Sequence, residues 1–150
     1  MSTLAIVFGR QTRTLAKIPG SRRRSLQARF GQLAVALPHS RRELGWFIAL
    51  SLSAGFCEEF LFRGYLIWAL QPLLGLWGGS GLSVVAFALV HSYQGREGIL
   101  KTGTVAILFT LVVLGCGSLW PAIALHVVLD VGSGLTAWLV LREVPGSETQ

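Results

Sequence analysis

The chain has 150 residues, 52% of them hydrophobic and 13% charged, with a mean hydropathy of +0.60. An ordinary soluble domain carries about 25% charged residues, so most soluble folds are excluded, together with the disordered, collagenous and disulfide-rich classes. The 13 Lys and Arg outweigh the 7 Asp and Glu by six charges, and nine of those basic residues (Arg10, Arg13, Lys17, Arg22, Arg23, Arg24, Arg29, Arg41 and Arg42) precede Glu43, the first acidic one. Beside long apolar segments, such a tail suits the anionic lipid of a cytoplasmic leaflet better than nucleic acid. The expectation is an integral membrane protein with its N-terminus in the cytoplasm. An organelle transit peptide is the alternative for an Arg-rich, acid-free start, and Leu4 to Phe8 is too short an apolar run for a secretory signal.

Residues 1–43 read as a basic leader in which Leu26, Phe30, Leu33 and Leu37 recur at helical spacing beside the arginines. That pattern suits a helix lying on the membrane surface, or else a solvated tail. From Leu44 the composition turns apolar, and Leu44 to Leu70 would make one helix of about 40 Å before Gln71 and Pro72 stop it. A Gly-rich break (Gly75, Gly78, Gly79, Gly81) then leads to a second helix ending near His91. Tyr93 to Gly98 is a polar connection. No residue between Lys101 and His126 is charged. That stretch divides at Gly115, Gly117 and Pro121 into a third helix, about Ile99 to Cys116, and a fourth from near Pro121 to Leu141. The expected fold is thus all-α, a polytopic bundle of about four membrane helices over 44–141, with a polar tail at 142–150 and both termini on one side.

Six ionisable side chains fall inside or at the edges of these helices: Glu58, Glu59, Arg63, His91, His126 and Asp130. A charge at a helix centre costs about 2.5 to 3.5 kcal/mol even on the lenient insertion scale, so such residues face a bundle interior and mark function. Glu59 and Arg63, at i and i+4, share a face and read as an ion pair. Glu58 is offset from Arg63 by about 140° and points elsewhere. His126 and Asp130 also share a face, and Phe87 stands one turn before His91.

In this order, Glu58-Glu59-Phe60-Leu61-Phe62-Arg63, then Phe87-Ala88-Leu89-Val90-His91, then His126-Val127-Val128-Leu129-Asp130 resemble three motifs of one family. They are the Glu-Glu-x-x-x-Arg, Phe-x-x-x-His and His-x-x-x-Asn/Asp motifs of the CPBP intramembrane proteases, which include the type II CAAX prenyl endopeptidases and bacterial Abi proteins. The resemblance covers about Leu44 to Leu141. It implies a metalloprotease-like endopeptidase in which Glu58 is the general base, aided by His91, while His126 and Asp130 polarise the scissile carbonyl. It further implies a peptide or protein substrate at the membrane, prenylated or not, and admits a divalent metal such as zinc, with Glu58, His91, His126 and Asp130 as candidate ligands. Family members usually carry further membrane helices before the Glu-Glu helix; none is read here, so a minimal or truncated form is expected. Glu59, Arg63 and Phe87 take structural or orienting roles.

The residues themselves support this chemistry and also limit it. A base must lie within one hydrogen bond of the water it activates. An ionised Asp130 cannot donate to an oxyanion as an asparagine can, so it must orient His126, bind a cation or stay protonated. No His-Glu-x-x-His motif is present. Cys57 and Cys116 read as small core residues, and Trp46, Trp68, Trp77, Trp120 and Trp138 as anchors near span ends. The competing reading is a non-enzymatic membrane protein, an immunity or interaction module or a transporter fragment, that uses the same charges structurally; a transporter would be expected to show duplicated halves, and none is visible.

Overall fold

The computed structural model describes residues 35–141. The surface helix expected around Leu26, Phe30 and Leu33, the rest of the leader up to residue 34, and the tail at 142–150 lie outside the described residues. The described residues contain helices and no strand. Ser40 opens the first of them. Its hydroxyl oxygen accepts the Glu43 backbone N–H at 3.2 Å, while the Glu43 carboxylate accepts the His39 N–H at 2.9 Å and the Ser40 hydroxyl at 2.8 Å. These bonds satisfy donors that a helix start leaves open, which fixes where the helix begins.

Helix α1 (Arg41–Glu59) runs into one π-helical stretch, Phe60–Leu66, and continues as α2 (Ile67–Val90). A 3₁₀ turn, His91–Gln94, links α2 to α3 (Gly95–Cys116), and α4 (Trp120–Leu141) follows. Two of these runs are long and apolar enough to cross a membrane, Arg41–Cys116 with 76 residues and Trp120–Leu141 with 22. The first would extend about 114 Å if straight, far beyond the roughly 30 Å of a hydrocarbon core, so it must turn. It turns at Gly75 (φ 69°) and Gly95 (φ 77°), and Gly117 (φ 62°) ends α3 with its N–H on the Val113 carbonyl at 2.9 Å. Left-handed backbone is open to glycine at little cost, so these three residues punctuate the chain. The result is four helical rods, 41–74, 76–90, 96–116 and 120–141.

Two boundaries differ from the sequence reading. The first rod does not stop at Leu70: it passes through Pro72 and reverses at Gly75. Proline's fixed φ is already helical, and the hydrogen bond it forfeits lies in the last turn of the rod. The break is also one residue rather than a Gly-rich loop. Gly79 is buried, and a Cβ there would stand 3.4 Å from the Ile67 carbonyl oxygen and the Gln71 nitrogen, so it is a packing residue of the returning arm. That arm, 76–90, is only about 22 Å long.

Ser51–Leu129 forms one compact unit. The other comprises Met1–Leu50 and Asp130–Gln150, of which 35–50 and 130–141 are described. In the first unit the small core is Phe62, Phe87 and Ala106, with Leu66, Val84 and Ala86 packed against it. Outward-facing positions are apolar: Phe56, Phe60, Leu61, Leu73, Leu82, Val85, Leu108 and Leu111 are all exposed. An exterior of this kind suits lipid, and the chain is a helical membrane protein. Cys57 and Cys116, read from sequence as core residues, are exposed instead. Where the solvent is lipid, a small apolar thiol gains nothing by hiding, so the ordinary preference for burial does not sort it inward. Trp46, Trp68, Trp77 and Trp120 are exposed.

Candidate active site

The site is assembled by one close approach. Gly55 of α1 lies against Val127 of α4: a Cβ on Gly55 would stand 2.6 Å from Val127 Cγ2 and 3.3 Å from its backbone nitrogen. With no side chain there, α4 comes near enough for His126 to reach Glu59, one turn beyond Gly55. His126 Nδ1 and Glu59 Oε1 are 2.8 Å apart, and the same carboxylate oxygen accepts Arg63 Nη1 at 2.9 Å. The Glu59 and Arg63 side chains are both 0% exposed. Arg63 also donates from Nη2 to the Ala106 carbonyl at 3.3 Å, and its guanidinium lies 4.3 Å from the Phe87 ring centroid and 5.7 Å from that of Phe109. A buried cation is tolerable only with such a counter-charge and aromatic faces around it.

Glu58 looks the other way, as its helical offset requires. Its Oε2 is 3.8 Å from His91 Nε2 and 3.8 Å from His126 Nε2. The tautomers follow from what the other ring nitrogens touch. His91 Nδ1 is 2.8 Å from the Phe87 carbonyl oxygen, which only accepts, so Nδ1 carries the hydrogen and donates it. His126 Nδ1 donates in the same way to the Glu59 oxygen that also accepts from Arg63. In their neutral forms both imidazoles therefore turn a bare Nε2 toward Glu58. Three lone-pair-bearing atoms, Glu58 Oε2 and the two Nε2, converge.

The aromatic residues set the ring planes. Phe87 packs edge-on to Phe62 at 4.9 Å between centroids and lies 4.6 Å from His91; Phe109 lies 5.4 Å from His126. The Ser83 hydroxyl donates to the Phe62 carbonyl at 2.6 Å, tying the returning arm to the π-helical stretch. A π turn is often found beside a functional site, and this one begins directly after Glu59.

Of the residues singled out from sequence, Glu58, Glu59, Arg63, Phe87, His91 and His126 come together within the unit Ser51–Leu129. Asp130 follows His126 by one turn of α4, is half-buried, and belongs to the other unit. Orienting His126 through Nδ1, one of the roles weighed for Asp130, is done by Glu59. Sequence reading missed Gly55, Phe109, Ser83 and the Ala106 carbonyl. Gly55 alone had a signal, a glycine one turn before a charged pair in an apolar helix, the position of a helix crossing. As for a metal, no group of three or more His, Cys, Asp or Glu among the described residues is placed to hold an ion.

Comparison with known proteins gives one family. No curated protein and no solved structure matches the chain. Residues 40–132, more than half of the 150, match the type II CAAX prenyl endopeptidase Rce1-like family, a family of membrane proteases. The matched span contains every charged residue of the site, and the chain belongs to the type II CAAX prenyl endopeptidase Rce1-like family.

Proposed function

We propose that this protein is an intramembrane endopeptidase in which Glu58 and His91 activate a water while His126 and Asp130 polarise the scissile carbonyl. One observation carries the reading: the convergence of Glu58 Oε2 with the two bare Nε2 atoms at 3.8 Å each. At that separation the groups do not bond to one another, yet an oxygen beside them lies within a hydrogen bond of Glu58 and of either imidazole. Glu58 accepts a proton from that water as its oxygen attacks the carbonyl carbon. The tetrahedral oxyanion then collapses, the C–N bond breaks, and the proton passes from Glu58 to the leaving amine. His126 takes a proton from solvent at Nε2 as the peptide binds, donates that N–H to the oxyanion and returns the proton to solvent after collapse, while its Nδ1–H bond to Glu59 stabilises the imidazolium. Asp130 contributes as a donor when protonated.

A zinc ion, which the family resemblance admits, would take its donors from Glu58, His91, His126 and Asp130 and would supply Lewis-acid activation of water. Three such side chains do not close on one point among the described residues, so no step above is routed through a metal. The substrate class is a prenylated peptide with a C-terminal CAAX sequence, or another peptide at the membrane, offered from a prokaryotic plasma membrane whose cytoplasmic face holds the basic N-terminus. A purely structural use of the charges accounts for Glu59 and Arg63, and the facing of Glu58 by two imidazoles favours the enzyme.

The test uses the full chain in lipid vesicles with a farnesylated peptide ending in Cys-aliphatic-aliphatic-X. Mass spectrometry should show release of the terminal tripeptide by the wild type and its loss in Glu58→Gln. No cleavage of this peptide or of a membrane-anchored peptide library, or equal cleavage by Glu58→Gln, overturns the reading.

A further inference from the structure

Directly after His91 the chain carries an exposed phenol that the reaction above does not use. Tyr93 sits in the 3₁₀ turn His91–Gln94, is 70% exposed, and lies 5.9 Å from His91 between ring centroids with 34° between planes. With Phe87 4.6 Å from His91, three rings run in sequence from the buried core to an exposed edge. The Tyr93 oxygen accepts a hydrogen bond from Gln94 Nε2 at 3.2 Å, and Gln94 Oε1 in turn accepts the Thr102 hydroxyl of α3 at 3.3 Å. The phenol oxygen thus accepts one hydrogen bond and keeps its own O–H to donate.

A peptide entering an apolar layer needs partners for its backbone carbonyls, because each one left unsatisfied there costs several kcal/mol. The His91 and Tyr93 ring centroids are 5.9 Å apart, a separation comparable to about two residues of extended peptide at roughly 3.3 Å each. We propose that Tyr93 is a substrate-positioning residue whose hydroxyl donates to a backbone carbonyl of the bound peptide within about two residues of the scissile bond. This rests on the endopeptidase reading. Gln94 and Thr102 position the phenol, and the turn His91–Gln94 is the edge at which the peptide docks. The bond is made equally to substrate and transition state, so its loss acts on binding and not on turnover.

The experiment measures binding of the farnesylated Cys-aliphatic-aliphatic-X peptide to the full chain in vesicles, in a Glu58→Gln background that does not consume it. Adding Tyr93→Phe, which keeps the ring beside His91 and removes only the donor, is expected to weaken binding about fivefold to tenfold, the usual worth of one hydrogen bond. Gln94→Ala should weaken it less. In the otherwise wild-type chain, Tyr93→Phe should raise KM by the same factor with kcat within about twofold. Unchanged binding in Tyr93→Phe, the outcome for a tyrosine that only anchors the membrane interface, overturns the proposal while leaving cleavage by the wild type intact. A fall in kcat at constant KM overturns it too. Absence of any binding in the Glu58→Gln background removes the endopeptidase reading along with it.

Discussion

The polar cluster has a closed side and an open side, separated by a single residue of sequence. On the closed side Glu59 is fully buried, and one of its oxygens holds both Arg63 and His126. On the open side Glu58 is partly exposed and faces two ring nitrogens at 3.8 Å. Adjacent residues on a helix point about 100° apart, so a Glu-Glu pair cannot serve one purpose twice. The lesson is that helical angle assigns the surroundings of each carboxylate: Glu59 faces a buried cation, and Glu58 faces two imidazoles.

The largest expected effect falls on the open side. Glu58→Gln keeps the volume and loses the base, and peptide cleavage should drop by about 100-fold to 10,000-fold with thermal stability unchanged. A mutant that unfolds early would instead make Glu58 part of the closed side. Glu59→Gln comes next. It leaves Arg63 buried without its counter-charge, which typically costs about 3 to 5 kcal/mol, read as a lower unfolding temperature and poor accumulation. Because Glu59 also orients His126, cleavage per folded molecule should fall as well, by about 10-fold to 100-fold. Full activity per folded molecule in Glu59→Gln would break the link between Glu59 and His126.

Much of this contrast was legible before any coordinates. The i, i+4 spacing of Glu59 and Arg63 places them together whatever the tertiary fold, and the offset of Glu58 follows from the same helix geometry. Glycines with positive φ lie within the breaks read from sequence, at Gly75 and Gly117, or inside the polar connection, at Gly95. What sequence could not supply is the pairing of Glu59 with His126, 67 residues apart. That contact depends on how closely two helices approach, and no local periodicity encodes an approach. Pro72 misled for a related reason: a proline near the end of a helix forfeits one bond, whereas a left-handed glycine redirects the backbone. Cys57 and Cys116 misled because burial rules learned in water do not hold where the outer medium is lipid.

Gly55→Ala sharpens the comparison at its origin. The added methyl meets Val127 at 2.6 Å, so α1 and α4 must separate, at a cost of about 1 to 3 kcal/mol. The closed side should loosen first, seen as a fall in unfolding temperature together with reduced cleavage per folded molecule. The smallest effect is expected at Ser40, far along α1 from either carboxylate. Ser40→Ala removes the cap at the start of the helix and should cost about 1 kcal/mol in detergent unfolding experiments while leaving cleavage per folded molecule unchanged.

The account turns on which ring nitrogens of His91 and His126 carry hydrogen, and ¹⁵N NMR of imidazole-labelled protein in detergent, with His39 replaced to remove its signals, reads this directly. In its neutral form each ring should carry its hydrogen on Nδ1 and none on Nε2, as the bonds to the Phe87 carbonyl and the Glu59 carboxylate require. A neutral ring with its hydrogen on Nε2 would contradict it, because the bond from Nδ1 to the Phe87 carbonyl or to the Glu59 carboxylate would then be missing.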